Sequence, residues 1–348
     1  MTFEQTQKDI VRLIETSKVK FVSKKNAIED WIFIQNTIDY LPVLYSVSSI
    51  NYQEQYFTEQ SDQLFDLSQV IYWDNKPIGI LSLTLSSKDK DLFLTSQGHP
   101  VLRPLVLDQI PRSSQKKIFN ECAYLVHTVT ENYKIKEFCL QEIYSLNFNI
   151  SSWYEYFLIK NFIPNNQFSL ILDLEQTHEE IKRNYRKSYK SLINKGKKNW
   201  EVHIFQEDFK RWHEFQDLHE QVSGRRTRSK KTWQIQADNL KNKNAIFIYI
   251  VDNNEIMVGG AYFDLSKDEA NYSVGVYRRD LATQPLGHII QDRAIQHFLK
   301  LGIRRYKIGN KPFPSLSKEL SDKDISIAEF KSGFGAELYL EPQLNRTN

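Results

Sequence analysis

The chain has few of the residues that build disulfide frameworks or metal sites. Only two cysteines, Cys122 and Cys139, occur in 348 residues, and their spacing is not that of metal ligands. Both lie in apolar stretches and are expected in the core. The eight histidines are scattered, without a histidine pair at helical spacing or a neighbouring carboxylate cluster. We therefore predict no metal site.

Long apolar runs are also missing. No stretch of 18 apolar residues occurs, which argues against a membrane span, and the polar N-terminus lacks the apolar core of a signal peptide. Glycine and proline are sparse, at 12 and 10 residues, so a fibrous or disordered chain is not expected. No P-loop, GxGxxG loop or GxSxG elbow is present. We expect a cytoplasmic enzyme or binding protein.

The chain is rich in apolar and aromatic residues. It is 41% hydrophobic and 13% aromatic, enough for a sizeable core and for pockets that hold sugars or bases. The net charge is only +3, which is low for a protein whose whole surface binds nucleic acid. A polyanionic partner would have to meet a local basic patch.

The two halves of the chain repeat one order of predicted elements: two helices, a hairpin, a strand, a helix and a strand. The hairpins lie at Ser68 to Ser86 and Ile246 to Ser266, with Asp74-Asn75 and Asp252-Asn253 at their turns. Repeated order indicates a duplicated domain. We predict a mixed-sheet α/β fold of two domains, residues 1–175 and 176–348, each with the element order of a GNAT acyltransferase core.

Three basic or glycine-containing segments stand out in the second half. The segment Ile181 to Trp200 holds eight Lys or Arg and no acid, and Ile181, Tyr185, Tyr189 and Leu192 fall on one face of a predicted helix that Gly196 ends. Its basic surface, including Arg186, either is solvated or contacts phosphates.

The second segment, Ser223 to Trp233, places five basic residues at a turn between two helices. Arg225, Arg226 and Arg228 suit bidentate binding of phosphate or carboxylate, and an exposed loop is the alternative. In the first half, Arg103 lies in a Gly- and Pro-containing loop that either covers a cleft or is an inert crossover.

The third segment, Tyr277 to Ile295, ends a strand and begins a helix near Gly287. A helix N-terminus offers free N–H groups to an anion. Arg279, Gly287 and His288 are therefore candidates for binding a donor phosphate. Pro285 removes one N–H donor, so the segment is a weak match to a coenzyme A loop, and a structural role for His288 stays open.

The last segment, Phe330-Lys331-Ser332-Gly333-Phe334-Gly335, follows a helix and precedes a predicted strand from Ala336 to Leu340. Together the four segments resemble the FemAB family of tandem-GNAT transferases and its BioF2-like acetyltransferase relatives. The terminal Phe-Lys-x-x-Phe-Gly element, the basic helix, the arginine turn and the helix-glycine-strand order carry this resemblance, mainly between Leu174 and Pro342.

The resemblance implies transfer of an aminoacyl group from tRNA, or of an acyl group from coenzyme A, onto an amine. The acceptor would be an envelope precursor: an amino sugar, a nucleotide sugar or a peptidoglycan peptide. Phe330 and Lys331 correspond to the family pair where donor and acceptor meet, and a fixed cation suits a developing oxyanion. Glu329 and Tyr277 are candidates for proton relay. The alternative is that Lys331 is a surface lysine without a catalytic role, favoured in the last turn of a helix by the helix dipole.

No permanently bound cofactor is expected. Partners would be the amine acceptor and, for one donor, tRNA, and a peripheral contact with a lipid-linked substrate is compatible with the absence of a span. Two other functions stay open: a non-catalytic nucleic-acid-binding protein, and a degenerate GNAT scaffold.

Overall fold

A computed structural model describes residues 2–144, 150–316 and 320–346. Within these ranges the helices α1 to α11 are, in chain order, Phe3–Glu15, Ile28–Thr37, Val47–Thr58, Arg112–Asn132, Ser152–Ile159, His178–Arg183, Lys187–Asn199, Phe209–Ser223, Lys230–Lys241, Leu286–Leu301 and Asp322–Ser332. None of the helices in the described ranges is both long and apolar enough to cross a membrane.

The strands β1 to β18 are Lys20–Ser23, Gln63–Asp66, Gln69–Trp73, Lys76–Leu81, Thr84–Lys88, Asp91–Thr95, Val101–Leu102, Leu105–Val106, Cys139–Gln141, Ile163–Pro164, Gln167–Asp173, Val202–Ile204, Ala245–Val251, Met257–Leu265, Glu269–Tyr277, Arg305–Asn310, Glu337–Glu341 and Gln343–Asn345. They form four sheets, ordered β1-β3-β4-β8, β2-β5-β6, β10-β18-β9-β7 and β12-β13-β14-β15-β16-β11-β17. The mixed α/β class that the sequence predicts is confirmed.

The chain divides into two compact units that are not contiguous in sequence. The first comprises residues 1–40, 53–167 and 340–348, and the second comprises residues 41–52 and 168–339. The sequence pattern suggests contiguous domains of residues 1–175 and 176–348 instead. Periodicity alone does not reveal that a short segment belongs to a distant part of the chain.

The first unit is built around α4. Cys122, Leu125, Val126 and Val129 are buried on this helix, and Trp153 and Phe157 of α5 belong to the same core. Cys122 is fully buried, as expected, whereas Cys139 is only partly buried. Leu344 of β18 is fully buried in this core, although it lies near the end of the chain.

The second unit has a seven-stranded sheet with an apolar core on each face. One core contains Phe263 of β14 and Phe298 of α10, and the other contains Trp212 and Phe215 of α8 with Trp233 of α9. Strands buried on both faces read as nearly continuous apolar runs, as β13 and β14 do.

The two predicted hairpins are present, but their turns differ. β3 and β4 are joined by Asp74 and Asn75 alone, both with positive φ (50° and 59°), as a two-residue type I′ turn requires. β13 and β14 are joined by a longer loop, in which Asp252 Oδ1 accepts N–H groups from Asn254 and Ile256.

The basic segment differs from the single helix that its apolar spacing predicts. It forms α6 and α7, because Arg186 adopts an extended conformation (ψ 135°) and its N–H bonds the carbonyl of Gly333 at 2.8 Å. Gly196 does not end α7 but lies buried within it. A Cβ there would come within 2.3 Å of Ile289 Cγ2, so glycine permits close packing of α7 on α10.

The final helix ends at Ser332, and the predicted last strand is present as β17, shifted by one residue. Gly335 (φ 76°) takes the left-handed conformation that makes the turn, whereas Gly333 does not. The two glycines of the Phe330–Gly335 segment are thus explained by turn geometry at Gly335 and by close contact at Gly333, where a Cβ would meet Tyr189 at 2.4 Å.

Candidate active site

The seven-stranded sheet opens between β15 and β16. These strands pair in parallel only at Glu269, Ala270 and Asn271. Beyond Asn271, β15 continues to pair with β14, while the end of β16 pairs with β11. The backbones of β15 and β16 therefore part from Tyr272 onward, and we call this gap the strand splay.

A β-bulge marks the start of the strand splay. Tyr272 pairs with Phe263 and Val274 pairs with Tyr262, which leaves Ser273 as the extra residue of β15. The Ser273 hydroxyl donates to Asp264 Oδ2 at 2.5 Å and so ties the bulge to β14. Burial raises the pKa of Asp264, while the Ser273 hydrogen bond lowers it. Bulges occur next to active sites because they redirect side chains.

The side chain of Lys331 extends from the last turn of α11 into the strand splay. Its ammonium lies 5.3 Å from the ring centroid of Tyr272 on β15. On the other side it lies against Gly309 of β16, where a Cβ would come within 2.2 Å of Lys331 Nζ. Gly309 (φ 154°) therefore leaves open the space that the lysine occupies.

Lys331 is a cation without an acidic partner. Among the described residues its ammonium forms no ion pair, and its polar environment is the face of the Tyr272 ring. Burial lowers the pKa of Lys331 below its ordinary value. A partly desolvated charge of this kind attracts an anion more strongly than an exposed lysine does.

Phe330 is held by contacts at its ring and at its backbone. Tyr189 of α7 donates its hydroxyl to the Phe330 carbonyl at 2.9 Å. The ring lies edge-on to His288, with centroids 5.0 Å apart, and His288 in turn lies 4.5 Å from the Tyr189 ring. Because burial and then the charge of Arg186 lower the pKa of His288 to about 4, this histidine is neutral near pH 7.

Gly287 and Tyr277 lie beside Phe330. A Cβ on Gly287 would sit 3.1 Å from Phe330 Cζ and 3.6 Å from the Tyr277 hydroxyl. That hydroxyl is buried without a well-formed hydrogen bond among the described residues. Burial, and then the neighbouring Tyr272, raise the pKa of Tyr277 well above its ordinary value. The structure therefore brings Phe330, Lys331, Tyr277, Gly287 and His288 together.

Glu329 is held in ion pairs on the exposed side of α11. Its carboxylate bonds Lys311 and also Arg186, whose Nη2 lies 3.2 Å from Oε2. Arg186 additionally donates to the Glu329 carbonyl at 3.1 Å. The hydrogen bond from Lys311, with the charge of Arg186, lowers the pKa of Glu329, which weakens it as a proton acceptor. Arg186 thus connects α7 to α11.

Arg279 lies away from this group. It forms part of a short 3₁₀ turn before α10, and its guanidinium donates to the Val222 carbonyl at the end of α8. The first turn of α10 has no side-chain cap, so its N–H groups are not bound by a capping residue. Of the predicted donor-binding residues, Gly287 and His288 adjoin Phe330, the residue before Lys331, and Arg279 does not contribute its charge there.

The three arginines of the turn after α8 differ in environment. Arg225 and Arg226 are exposed, and Arg226 Nε bonds the carbonyl of Arg228 at 3.1 Å. Arg228 is partly buried, donates from Nε to the Tyr52 hydroxyl at 2.9 Å and lies over Trp233. In the first unit, Arg103 forms an ion pair of 3.1 Å with the buried carboxylate of Glu142, a structural contact.

Several residues of the site carry no sequence motif. Tyr272 and Asp264 are recognised only through the register of the strands that hold them. A glycine inside a strand does indicate close approach of another group, so Gly309 offered a signal in the sequence. Within the described ranges, no group of three His, Cys, Asp or Glu side chains is placed to hold a metal ion.

No protein-family model matches the chain, and no curated protein sequence matches it. Solved structures do. FemX is 11% identical over 93% of this chain and 96% of its own, with a TM-score of 0.69. A C-terminal domain assigned to a lysylphosphatidylglycerol synthetase of Agrobacterium fabrum is 9% identical over 94% and 93%, with a TM-score of 0.58. L-PGS from Bacillus licheniformis is 10% identical over 85% and 91%, with a TM-score of 0.52. The chain therefore shares the fold of FemX, as the resemblance to the FemAB family implies.

Proposed function

We propose that the chain is an N-acyltransferase that moves an acyl or aminoacyl group from an ester or thioester onto an amine of a cell-envelope precursor. The observation that carries this proposal is the unpaired Lys331 ammonium in the strand splay, between Tyr272 and Gly309. An open gap in a sheet can admit the end of a linear acyl donor, and the cation marks where negative charge is accepted.

The chemistry follows from that cation. The amine nitrogen attacks the acyl carbonyl carbon, and the carbonyl oxygen becomes an oxyanion that Lys331 stabilises. The carbon–oxygen or carbon–sulfur bond of the donor then breaks, and the leaving group takes up a proton. The attacking nitrogen loses its proton to solvent, either directly or through a hydroxyl that accepts this proton as it releases its own, and Tyr277 lies in the group for that relay. The free N–H groups of the first turn of α10 suit a donor phosphate.

The nature of the acceptor rests on fold likeness and on charge. One structural neighbour carries the name of an enzyme that makes lysylphosphatidylglycerol, which has an aminoacyl group on a lipid headgroup. Arg225 and Arg226 are exposed and suited to the phosphates of a nucleotide sugar or lipid-linked sugar. Aminoacyl-tRNA and acyl-coenzyme A both remain in the proposal as donors.

The test is intact-mass analysis of amino-sugar and peptide precursors incubated with the full chain and either charged tRNA or acyl-coenzyme A. We expect a mass increase with one donor class, lowered roughly 100- to 1,000-fold in Lys331→Ala, since removal of one oxyanion-stabilising donor has that effect. Lys323→Ala, which changes an exposed lysine in the first turn of α11, should retain activity. Transfer by Lys331→Ala at the wild-type rate would remove Lys331 from the mechanism.

A further inference from the structure

The exposed face of α7 carries several lysines that make no ion pair with acidic residues of the described ranges. The helix contains five lysines and no acid. Lys197 is bound to Asp292 of α10, with 2.6 Å between Nζ and Oδ2. The other four are exposed and make no ion pair among the described residues: Lys187, Lys190, Lys195 and Lys198.

A cavity of about 440 Å³ lies at the C-terminal end of this helix, between α7, β12 and α10. Lys198 and Trp200 line it from one side, and Arg293 and Gln296 line it from α10. Glu201 is at its edge, but its side chain is 83% exposed and lies 4.0 Å from His203. Of the cations that line the cavity, Lys197 is paired with Asp292, whereas Lys198 and Arg293 have no partner among the described residues.

Among the residues that line this cavity, Arg293 has an unusual environment. It is only partly exposed, yet its guanidinium makes no hydrogen bond or ion pair in the described part of the chain, and its Nε is buried. The indole N–H of Trp200, which also lines the cavity, is buried without a partner. Arg293 therefore brings a partly buried charge to the cavity with no acidic partner in the described part of the chain, and a partly desolvated cation of this kind favours a bound anion.

We propose that this cavity binds a phosphate group, with Arg293 and Lys198 as its charged contacts. The planar guanidinium matches phosphate oxygens in pairs. The lysines of α7 extend the charge for about 16 Å from Lys187 to Lys198, at 1.5 Å per residue. That length fits successive phosphates of an RNA strand, and the cavity by itself fits a free phosphate. The site shares no residue with the Lys331 group, so the inference does not depend on the proposed transfer.

Two probes separate the sources of the phosphate. A fluorescein-labelled single-stranded RNA of about 20 nucleotides is followed by anisotropy at several salt concentrations, and inorganic pyrophosphate is followed by calorimetry. Arg293→Gln should lower the affinity for whichever probe binds by about tenfold, which is the effect of losing one hydrogen bond to a charged group. Lys300→Gln, an exposed lysine in the last turn of α10 outside the cavity, is the matched control and should change binding by less than about twofold.

The outcomes decide the proposal. Binding of either probe, with selective loss in Arg293→Gln, supports the phosphate site. If RNA is the probe that binds, Lys190→Gln should also reduce the slope of log K against log salt concentration by about 0.7. Failure of both probes, or equal losses in Arg293→Gln and Lys300→Gln, would overturn it in favour of diffuse surface charge. Lys331→Ala should bind both probes like wild type, whatever becomes of acyl transfer, and circular dichroism checks that Arg293→Gln is folded.

Discussion

The charge of Lys331 is positioned by two residues that carry no charge of their own. The ring of Tyr272 lies against the ammonium, and Gly309 has no side chain that would fill the space the ammonium occupies. Neither interaction neutralises the ammonium, which is therefore free to meet a negative charge that arises during a reaction. A glutamate in place of Tyr272 would form an ion pair and remove that property.

The pH dependence of the proposed transfer follows from the lowered pKa of Lys331. The cation exists only below that pKa, so kcat should fall as pH rises through it, at a pH below the 10.4 or so of a free lysine. Lys331→Arg, which stays charged to above about pH 12, should lack this alkaline fall. A pH profile of kcat at saturating substrate checks this. An identical alkaline fall in both proteins would assign it to another group.

Substitution of Gly309 should lower the rate of the proposed transfer about as much as substitution of Lys331. Gly309→Ala would place a methyl group 2.2 Å from the Lys331 Nζ position, and so would displace the ammonium from the strand splay. We expect a loss of kcat/KM approaching that of Lys331→Ala, roughly 100-fold. In the double variant the alanine at Gly309 should add little, because the group it displaces is already gone. Full additivity of the two losses would contradict the assignment.

At the level of elements, the strand splay depends on the bulge at Ser273. The hydrogen bond from Ser273 to Asp264 joins β15 to β14 at the residue where β15 leaves β16. α11 is fixed to the α6–α7 connection by a different set of contacts: the Tyr189 hydroxyl on the Phe330 carbonyl, and Arg186 on Glu329. The lysine and the gap it occupies are thus positioned by separate elements.

Ser273→Ala should lower the free energy of unfolding by about 1–3 kcal/mol, because the partly buried Asp264 carboxylate loses one of its donors. Chemical denaturation of the full chain measures this. Arg186→Ala is the comparison, since the Arg186–Glu329 pair is half exposed and contributes only about 0–1 kcal/mol. If the serine variant were no less stable than the arginine variant, the bulge would not depend on this hydrogen bond.

The sequence predicted elements better than their junctions. α4, α8, α9 and α10 occur where the repeated order of elements predicts helices, because a period of 3.6 residues and end signals such as Ser229 are local. The break at Arg186 and the packing of Gly196 were not predicted, since both depend on residues about 100 positions away or more. Phe330 and Lys331 were found through the terminal motif, whereas Tyr272 requires the strand register.

On the scale of the whole molecule, each unit is completed by a segment from a distant part of the sequence. β18 belongs to the first unit, where it pairs with β9 and β10 and buries Leu344. Residues 41–52 belong to the second unit, where the Leu41 N–H bonds Asp268 Oδ2 at 2.8 Å. Domain limits drawn from sequence repeats alone would separate both segments from the cores they complete.

Leu344→Ala should therefore destabilise the first unit, which apart from residues 340–348 ends at position 167. We expect a loss of about 2–5 kcal/mol, the range for a buried leucine replaced by alanine. In this variant, hydrogen exchange of the full chain should be faster than in the wild type in β9 and β10, and this increase should be larger than any in β13 and β14 of the second unit. Leu338→Ala, a half-exposed leucine nearby in sequence, should have little effect. Equal effects of the two substitutions would contradict the placement of β18.

The position of β18 also has a consequence for synthesis of the chain. About 180 residues separate β10 from β18 in sequence, so a ribosome adding 5–20 residues per second needs roughly 10–40 seconds to pass from one to the other. During that time β9 and β10 lack the strand that lies between them in the finished sheet. The nascent first unit therefore exposes pairing edges to other chains, and chaperone protection during translation would matter most in this interval.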